Sequence, residues 1–80
     1  MIVEIKLFAS AREQLGVEVV RVDMSGQTVG DLRNAMTAAY PELGSMLQQS
    51  LFAVNADYAN DATVIQVSDE VACIPPVSGG

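Results

Sequence analysis

The chain contains no histidine. That removes the side chain most often used as a general base at neutral pH, and with it the Ser-His and Cys-His nucleophile pairs. It contains one cysteine, Cys73, so no internal disulfide can form and no Cys/His cluster of metal-site spacing exists. With no base or cation adjacent in sequence to activate it, Cys73 reads as a small buried apolar residue. Only Lys6, Arg12, Arg21 and Arg33 are basic, against ten acidic residues, for a net charge of −6. Nucleic acid and anionic membrane both demand a basic footprint, so neither is expected as a partner. The acidic balance permits steering toward a basic protein. No apolar run is long enough to span a bilayer, and Met1-Ile2-Val3-Glu4 lacks the basic stretch that opens a signal peptide. A cytoplasmic protein is expected. Repeats, linkers and low-complexity runs are also missing.

What is present is one small domain. Half of the 80 residues are hydrophobic, enough for a single core. Ile2 to Phe8 alternates, with Val3, Ile5 and Leu7 on one face and Glu4, Lys6 and Phe8 on the other, which predicts a half-buried strand. Ser10-Ala11-Arg12-Glu13 has the spacing of a capping box with Ser10 as N-cap, and Gly16 suits the end of that helical turn. Val17 to Met24 is β-branched and predicts a second strand, antiparallel to the first. After the break at Ser25-Gly26-Gln27, Thr28 caps a helix whose first turn holds Asp31. Val29, Leu32, Ala35, Met36 and Ala39 supply its apolar face, and Pro41 stops it near Tyr40. Glu42 to Gln49 predicts a further helical turn. Leu51 to Val54 predicts a strand, Asn55-Ala56-Asp57 a turn, Val64 to Val67 a short strand, and Glu70 to Ile74 the last strand. In that last strand Val71 and Cys73 share one face and Ala72 and Ile74 the other. Two strands, one helix and then more strands predict an α+β fold: a mixed sheet holding one main helix, the β-grasp, ubiquitin-like architecture. The domain is expected over residues 1–75 and an extended tail over 76–80.

That tail, Pro75-Pro76-Val77-Ser78-Gly79-Gly80, is the part with chemical promise. Two prolines lack N–H groups and fix φ, so they end the strand and send the chain outward. Two residues without Cβ follow, and Gly80 is expected to carry the free α-carboxylate. The residues beyond Pro75 could reach roughly 17 Å when extended, enough to place a carboxylate inside another protein's active site. Phe8, an aromatic at the end of the outward face of the first strand, is a candidate contact residue, and Ile74 falls on the outward face of the last strand. Arg12 is either a surface charge or a contact.

Leu7-Phe8-Ala9 with Arg12-Glu13, Thr28-Val29 with Leu32-Arg33, Val54-Asn55, Asp69-Glu70-Val71 and above all Pro75-Pro76-Val77-Ser78-Gly79-Gly80 carry a resemblance over essentially the whole chain. It resembles the MoaD/ThiS group of ubiquitin-like sulfur carriers. The Pro-Pro-Val-Ser-Gly-Gly end narrows the resemblance to the MoaD type, the small subunits of molybdopterin synthases. The resemblance implies that a MoeB-type, ATP-dependent enzyme adenylates Gly80, and that sulfur delivery then converts the acyl-adenylate to a thiocarboxylate. It implies docking on a MoaE-type large subunit, in a heterotetramer of two small and two large subunits. There the sulfur passes to cyclic pyranopterin monophosphate and builds the dithiolene of molybdopterin. No cofactor is expected to stay bound to the chain, and its catalytic partners must supply acid and base. Gly79 and Gly80 are the reactive end. Phe8, Tyr58, Ile74, Pro75, Pro76, Val77, Ser78 and, further out, Arg12 are the implied partner contacts. The sequence departs from the group at Ile74, commonly aromatic, and at Tyr58, commonly aliphatic, which bears on the shape of the partner patch; it also departs at Ser68, commonly glycine, which is not expected to alter function. Three other readings stay open: a carrier for thiamine thiazole or another sulfur-containing product, a protein modifier joined to lysine through Gly80, and a binding module with an inert tail.

Overall fold

A computed structural model describes residues 1–76. The alternation at the start becomes β1 (Ile2–Leu7), with Val3, Ile5 and Leu7 buried and the residues between them exposed. Strand β2 (Val19–Asp23) runs antiparallel to it, with Val20 and Val22 inward. Between them lies α1 (Ala9–Leu15), two turns rather than one. The expected capping box at Ser10 and Glu13 does not form. The N-cap is Phe8, without a side-chain cap, because the chain turns one residue earlier, at Ala9, whose φ is +51°. Ser10 therefore falls inside the helix, and its hydroxyl donates to the sulfur of Met46 at 3.6 Å. Gly16 does end the helix as expected, with φ +72° and its N–H donating to the Arg12 carbonyl.

Helix α2 (Val29–Ala39) opens on a full capping box. The Asp31 N–H donates to Thr28 Oγ1 at 3.2 Å and the Thr28 N–H donates back to Asp31 Oδ2 at 3.1 Å. Val29, Leu32 and Met36 face the sheet and are fully buried. A 3-10 turn (Pro41–Leu43) leads into α3 (Gly44–Gln49), so three helices pack on the sheet where one main helix and two single helical turns were expected. Arg33 ties these pieces together. Its guanidinium donates to the carbonyls of Leu47 and Ser50 at the end of α3, at 2.6 and 2.8 Å, and pairs with Asp61 at 2.8 Å. It also lies 5.0 Å over the ring of Phe52.

Strand β3 (Leu51–Val54) is followed by a two-residue turn, Asn55 and Ala56, with φ of +52° and +68°. That left-handed pair matches the twist of a tight hairpin, and it delivers β4 (Asp57–Ala59) antiparallel to β3. The short fourth strand is thus Asp57–Ala59 and not Val64–Val67. The latter segment is a strap over the start of α2, with a single bridge between Thr28 and Val64. The residues leading into the strap are tied to the helix, Val29 N–H donating to the Thr63 carbonyl and Gly30 N–H to that of Asp61, at 2.9 and 3.0 Å, while the Ile65 N–H donates to the Gln27 carbonyl at 2.6 Å. A Cβ on Gly30 would stand 3.3 Å from Asp61, so glycine permits this close approach. Only Ile65 of the strap is buried. Strand β5 (Val71–Ile74) completes a five-stranded sheet in the order β2-β1-β5-β3-β4. β5 is parallel to β1 and antiparallel to β3. A mixed sheet with its helices on one face is the β-grasp arrangement that the residues predicted. Among the described residues no helix is long and apolar enough to cross a membrane.

Candidate functional site

The helices cover one face of the sheet, and the other face is bare among the described residues. The strand registers align five outward residues in one row: Val19 on β2, Lys6 on β1, Ala72 on β5, Ala53 on β3 and Tyr58 on β4. Two alanines at the centre of a row make a trough, since large side chains stand on either side and methyl groups form the floor. The depression has a volume of about 640 Å³ and is walled by Phe8, Lys6, Tyr58 and Ile74. Toward the C-terminal end of β5 the neighbouring row is apolar, pairing Ile74 with Leu51. Toward the opposite end the face turns polar, with Glu4 held by Arg21 at 3.1 Å and Glu70 and Asp69 beyond.

Three predicted contacts are therefore brought together. Phe8 is 39% exposed at the end of β1, Tyr58 is 74% exposed on β4, and Ile74 is half-buried on β5. Pro75 is buried against the domain and Pro76 is exposed. Val77, Ser78, Gly79 and Gly80 lie outside the described residues. Arg12 is not part of this trough. It sits on α1, 3.9 Å from Glu18, beside a separate shallow depression with Glu13 and Val17. Lys6, Val19, Leu51, Ala53 and Ala72 belong to the outer face but were not singled out from sequence. Alternation places Lys6 with Phe8 and Ala72 with Ile74, yet only the pairing of distant strands shows that they share a trough.

The loop that feeds β5 is fixed by a polar clamp behind the trough. The Asn55 side chain donates to Asp69 Oδ1 and accepts from the Glu70 N–H, both at 2.9 Å, while Gln66 N–H donates to Asp69 Oδ2 at 2.7 Å. The Gln66 N–H, and then the Asn55 amide, hold the Asp69 carboxyl below its ordinary value. Cys73 points to the opposite, helix-covered face and is fully buried. Burial pushes its thiol up, against smaller opposing effects of Ser50 and Arg33, so it is an inert core residue as expected. Among the described residues no three His, Cys, Asp or Glu side chains cluster to hold a metal.

The site is thus an open trough on the outer face of the sheet, placed beside Pro75 and Pro76. A family model described as the ThiS family matches residues 5–80. The chain is 40% identical over 81 residues to the molybdopterin synthase sulfur carrier subunit of Arabidopsis thaliana, covering 98% of this chain and 84% of that protein. It is 37% identical over 86 residues to the small archaeal modifier protein 1 of Haloferax volcanii, covering 96% and 99%. The crystal structure of that modifier superposes with a TM-score of 0.79 and full coverage of both chains. A chain of the complex of subunits 1 and 2 of the molybdopterin-converting factor from Helicobacter pylori, 26% identical, superposes with a TM-score of 0.67 and full coverage. With a matching model that runs to its last residue and relatives of this identity along nearly its whole length, the chain belongs to the ThiS family.

Proposed function

We infer that this chain is the sulfur-carrier small subunit of a molybdopterin synthase, working in the cytoplasm. The observation that carries the reading is its near-full-length identity to carrier subunits from several organisms, at up to 40%. The outer face supports it, because a trough walled in part by apolar Phe8, Tyr58 and Ile74 beside Pro75 suits docking on a larger partner. The partner proposed is a MoaE-type large subunit, and the Helicobacter pylori complex of subunits 1 and 2 is the precedent for such a pair.

The chemistry follows from what the terminal residues lack. A carboxylate is a poor electrophile until its oxygen becomes a good leaving group. In the proposed sequence a MoeB-type enzyme supplies this: the Gly80 carboxylate attacks ATP, pyrophosphate leaves, and an acyl-adenylate forms. A sulfur nucleophile then displaces AMP and leaves a thiocarboxylate on Gly80. That group is a better nucleophile than the carboxylate and needs no base from this chain. Docked in the large subunit, it delivers sulfur to cyclic pyranopterin monophosphate. Gly79 and Gly80 present no side chain to a narrow channel.

The test is the intact mass of the chain after incubation with the adenylating enzyme, Mg-ATP and a sulfur source. A shift equal to one oxygen replaced by sulfur, located to Gly80 by fragmentation, is expected. It should vanish in Gly80→Val without a change in the melting curve. No shift, with an enzyme proven on another carrier, would sink the reading. A second reading, a protein modifier, is favoured by the similarity to small archaeal modifier protein 1. Its mark is Gly80 in isopeptide linkage to a target lysine with no thiocarboxylate formed.

A further inference from the structure

Lysine occurs once in the chain, at position 6. Lys6 is exposed on the outer face of β1, in register with Ala72 on one side and Val19 on the other. Its nearest carboxylate along the strand, Glu4, is held by Arg21. The Met1 ammonium, by contrast, donates to Asp23 Oδ1 and the Met24 carbonyl, each at 3.2 Å. The one primary amine that makes no hydrogen bond among the described residues thus stands in the wall of the trough. Ala53 and Ala72 form the floor beside it, so an extended backbone bearing small side chains can approach closely. The sequence Val77-Ser78-Gly79-Gly80 has side chains of this small, uncharged kind.

We propose that Lys6 is an acceptor for the activated Gly80 of a second copy of this chain, giving an isopeptide-linked dimer. This rests on the reading that Gly80 is activated as an acyl-adenylate by an ATP-dependent enzyme. The unprotonated Lys6 Nζ attacks the Gly80 carbonyl carbon and a C–N bond forms. The C–O bond to AMP breaks, AMP leaves with the electron pair, and the nitrogen's proton passes to solvent. Nothing is oxidised or reduced. Sulfur delivery competes for the same carbonyl, so the dimer accumulates when sulfur is short. The acceptor is then withdrawn from docking, because the attached chain emerges from the wall of its trough. Reaction within one chain is disfavoured. Lys6 is level with Ala72, about 10 Å back along the strand from Pro75, and two prolines stiffen the chain before it could reverse.

The experiment uses the full chain with a competent MoeB-type adenylating enzyme and Mg-ATP, without a sulfur source. Denaturing electrophoresis and intact mass should reveal a species of two chains less one water. Fragmentation should place the Gly80 carbonyl on Lys6 Nζ, sulfide should suppress the species, and Lys6→Arg should abolish it. ATP–pyrophosphate exchange in the same tube reports activation separately. Exchange without dimer, a linkage to Met1, loss of water within a single chain, or a dimer that persists in Lys6→Arg each overturns the assignment of Lys6. Absence of exchange, with the enzyme active on another carrier, overturns the underlying activation of Gly80 and the acceptor role with it.

Discussion

The two faces of the sheet are built from alternate residues of the same strands, yet they answer to different constraints. Toward the helices stand Ile5, Leu7, Phe52 and Cys73, all at or below 1% exposure. Toward solvent stand Lys6, Phe8, Ala53, Ala72 and Tyr58, with two alanines where the inner face has its bulk. Volume governs the inner face, since a close-packed interior registers every methylene. The outer face carries no helix to pack against among the described residues, so small residues such as Ala53 and Ala72 can stand there. The two remain coupled through register. A one-residue slip would exchange the faces, so the core that fixes the pairing of β1 with β5 also fixes the trough.

The largest effect that can separate the faces belongs to the inner one. Ile5 is fully buried between Val20 and Val71 in the strand registers. Ile5→Ala should cost about 2–5 kcal/mol, the lost transfer energy plus an unfilled cavity. For a domain of this size each kcal/mol lowers Tm by about 4–8 °C. Urea denaturation checks this. At temperatures where the variant is folded, its affinity for the large subunit should match the wild type. A loss of affinity without loss of stability would mean that the two faces are not separable in this way.

Much of the inner face was legible in the sequence because its signals are local. Alternation along Val3, Ile5 and Leu7, helical spacing along Val29, Leu32 and Met36, and the Thr28 cap each act within a few residues. The errors fell where a distant contact overrode a local signal. Ser10 carries a capping-box spacing, but the left-handed turn at Ala9 starts the helix before it. Val64 to Val67 is apolar like a strand, but the N–H groups of Val29 and Gly30 take the carbonyls of Thr63 and Asp61 just before it, and the Ile65 N–H donates to the Gln27 carbonyl. Strand β4 exists because Asn55 and Ala56 adopt positive φ, which an alanine does not advertise. The outer face was legible one strand at a time. Phe8 and Ile74 were placed outward from alternation, but their meeting with Tyr58 depends on pairings between residues far apart in sequence. The roles of Gly79 and Gly80 were drawn from resemblance, since no side chain there records a function.

The outer face should show the reverse of the Ile5 result. Tyr58 buries little of itself in the free chain, so Tyr58→Ala should change stability by no more than about 0.5 kcal/mol. If the trough docks a partner, the same change should weaken binding by about 1–2 kcal/mol, since aromatic anchors carry a large share of interface energy. Titration calorimetry against a MoaE-type subunit measures it. Unchanged affinity in both Tyr58→Ala and Phe8→Ala would remove the trough from the interface and leave the tail as the sole contact.

The smallest effect concerns acid, and it touches both faces at once. Asp31 caps the helix of the inner face, while Asp69 clamps the loop and turn behind the outer one. Both carboxyls are held below the ordinary 3.8, Asp31 first by the Thr28 N–H and then by its hydroxyl, Asp69 first by the Gln66 N–H. The folded state therefore binds protons less readily at these groups than the unfolded chain does. Their stabilisation is fully present well above pH 3.8 and is lost as pH falls through the lower folded values. Melting temperature should be insensitive to these two groups from pH 7 to about 5 and should decline below about 4. Asp69→Asn should make that decline shallower, because the acceptor that protonation removes is already neutral. Carboxyl titration followed by NMR separates the faces: both midpoints should lie under 3.8. A midpoint at or above that value for Asp69 alone would mean that the clamp behind the trough is open in solution while the helix cap holds. The outer face would then be the softer of the two, shaped on docking rather than before it.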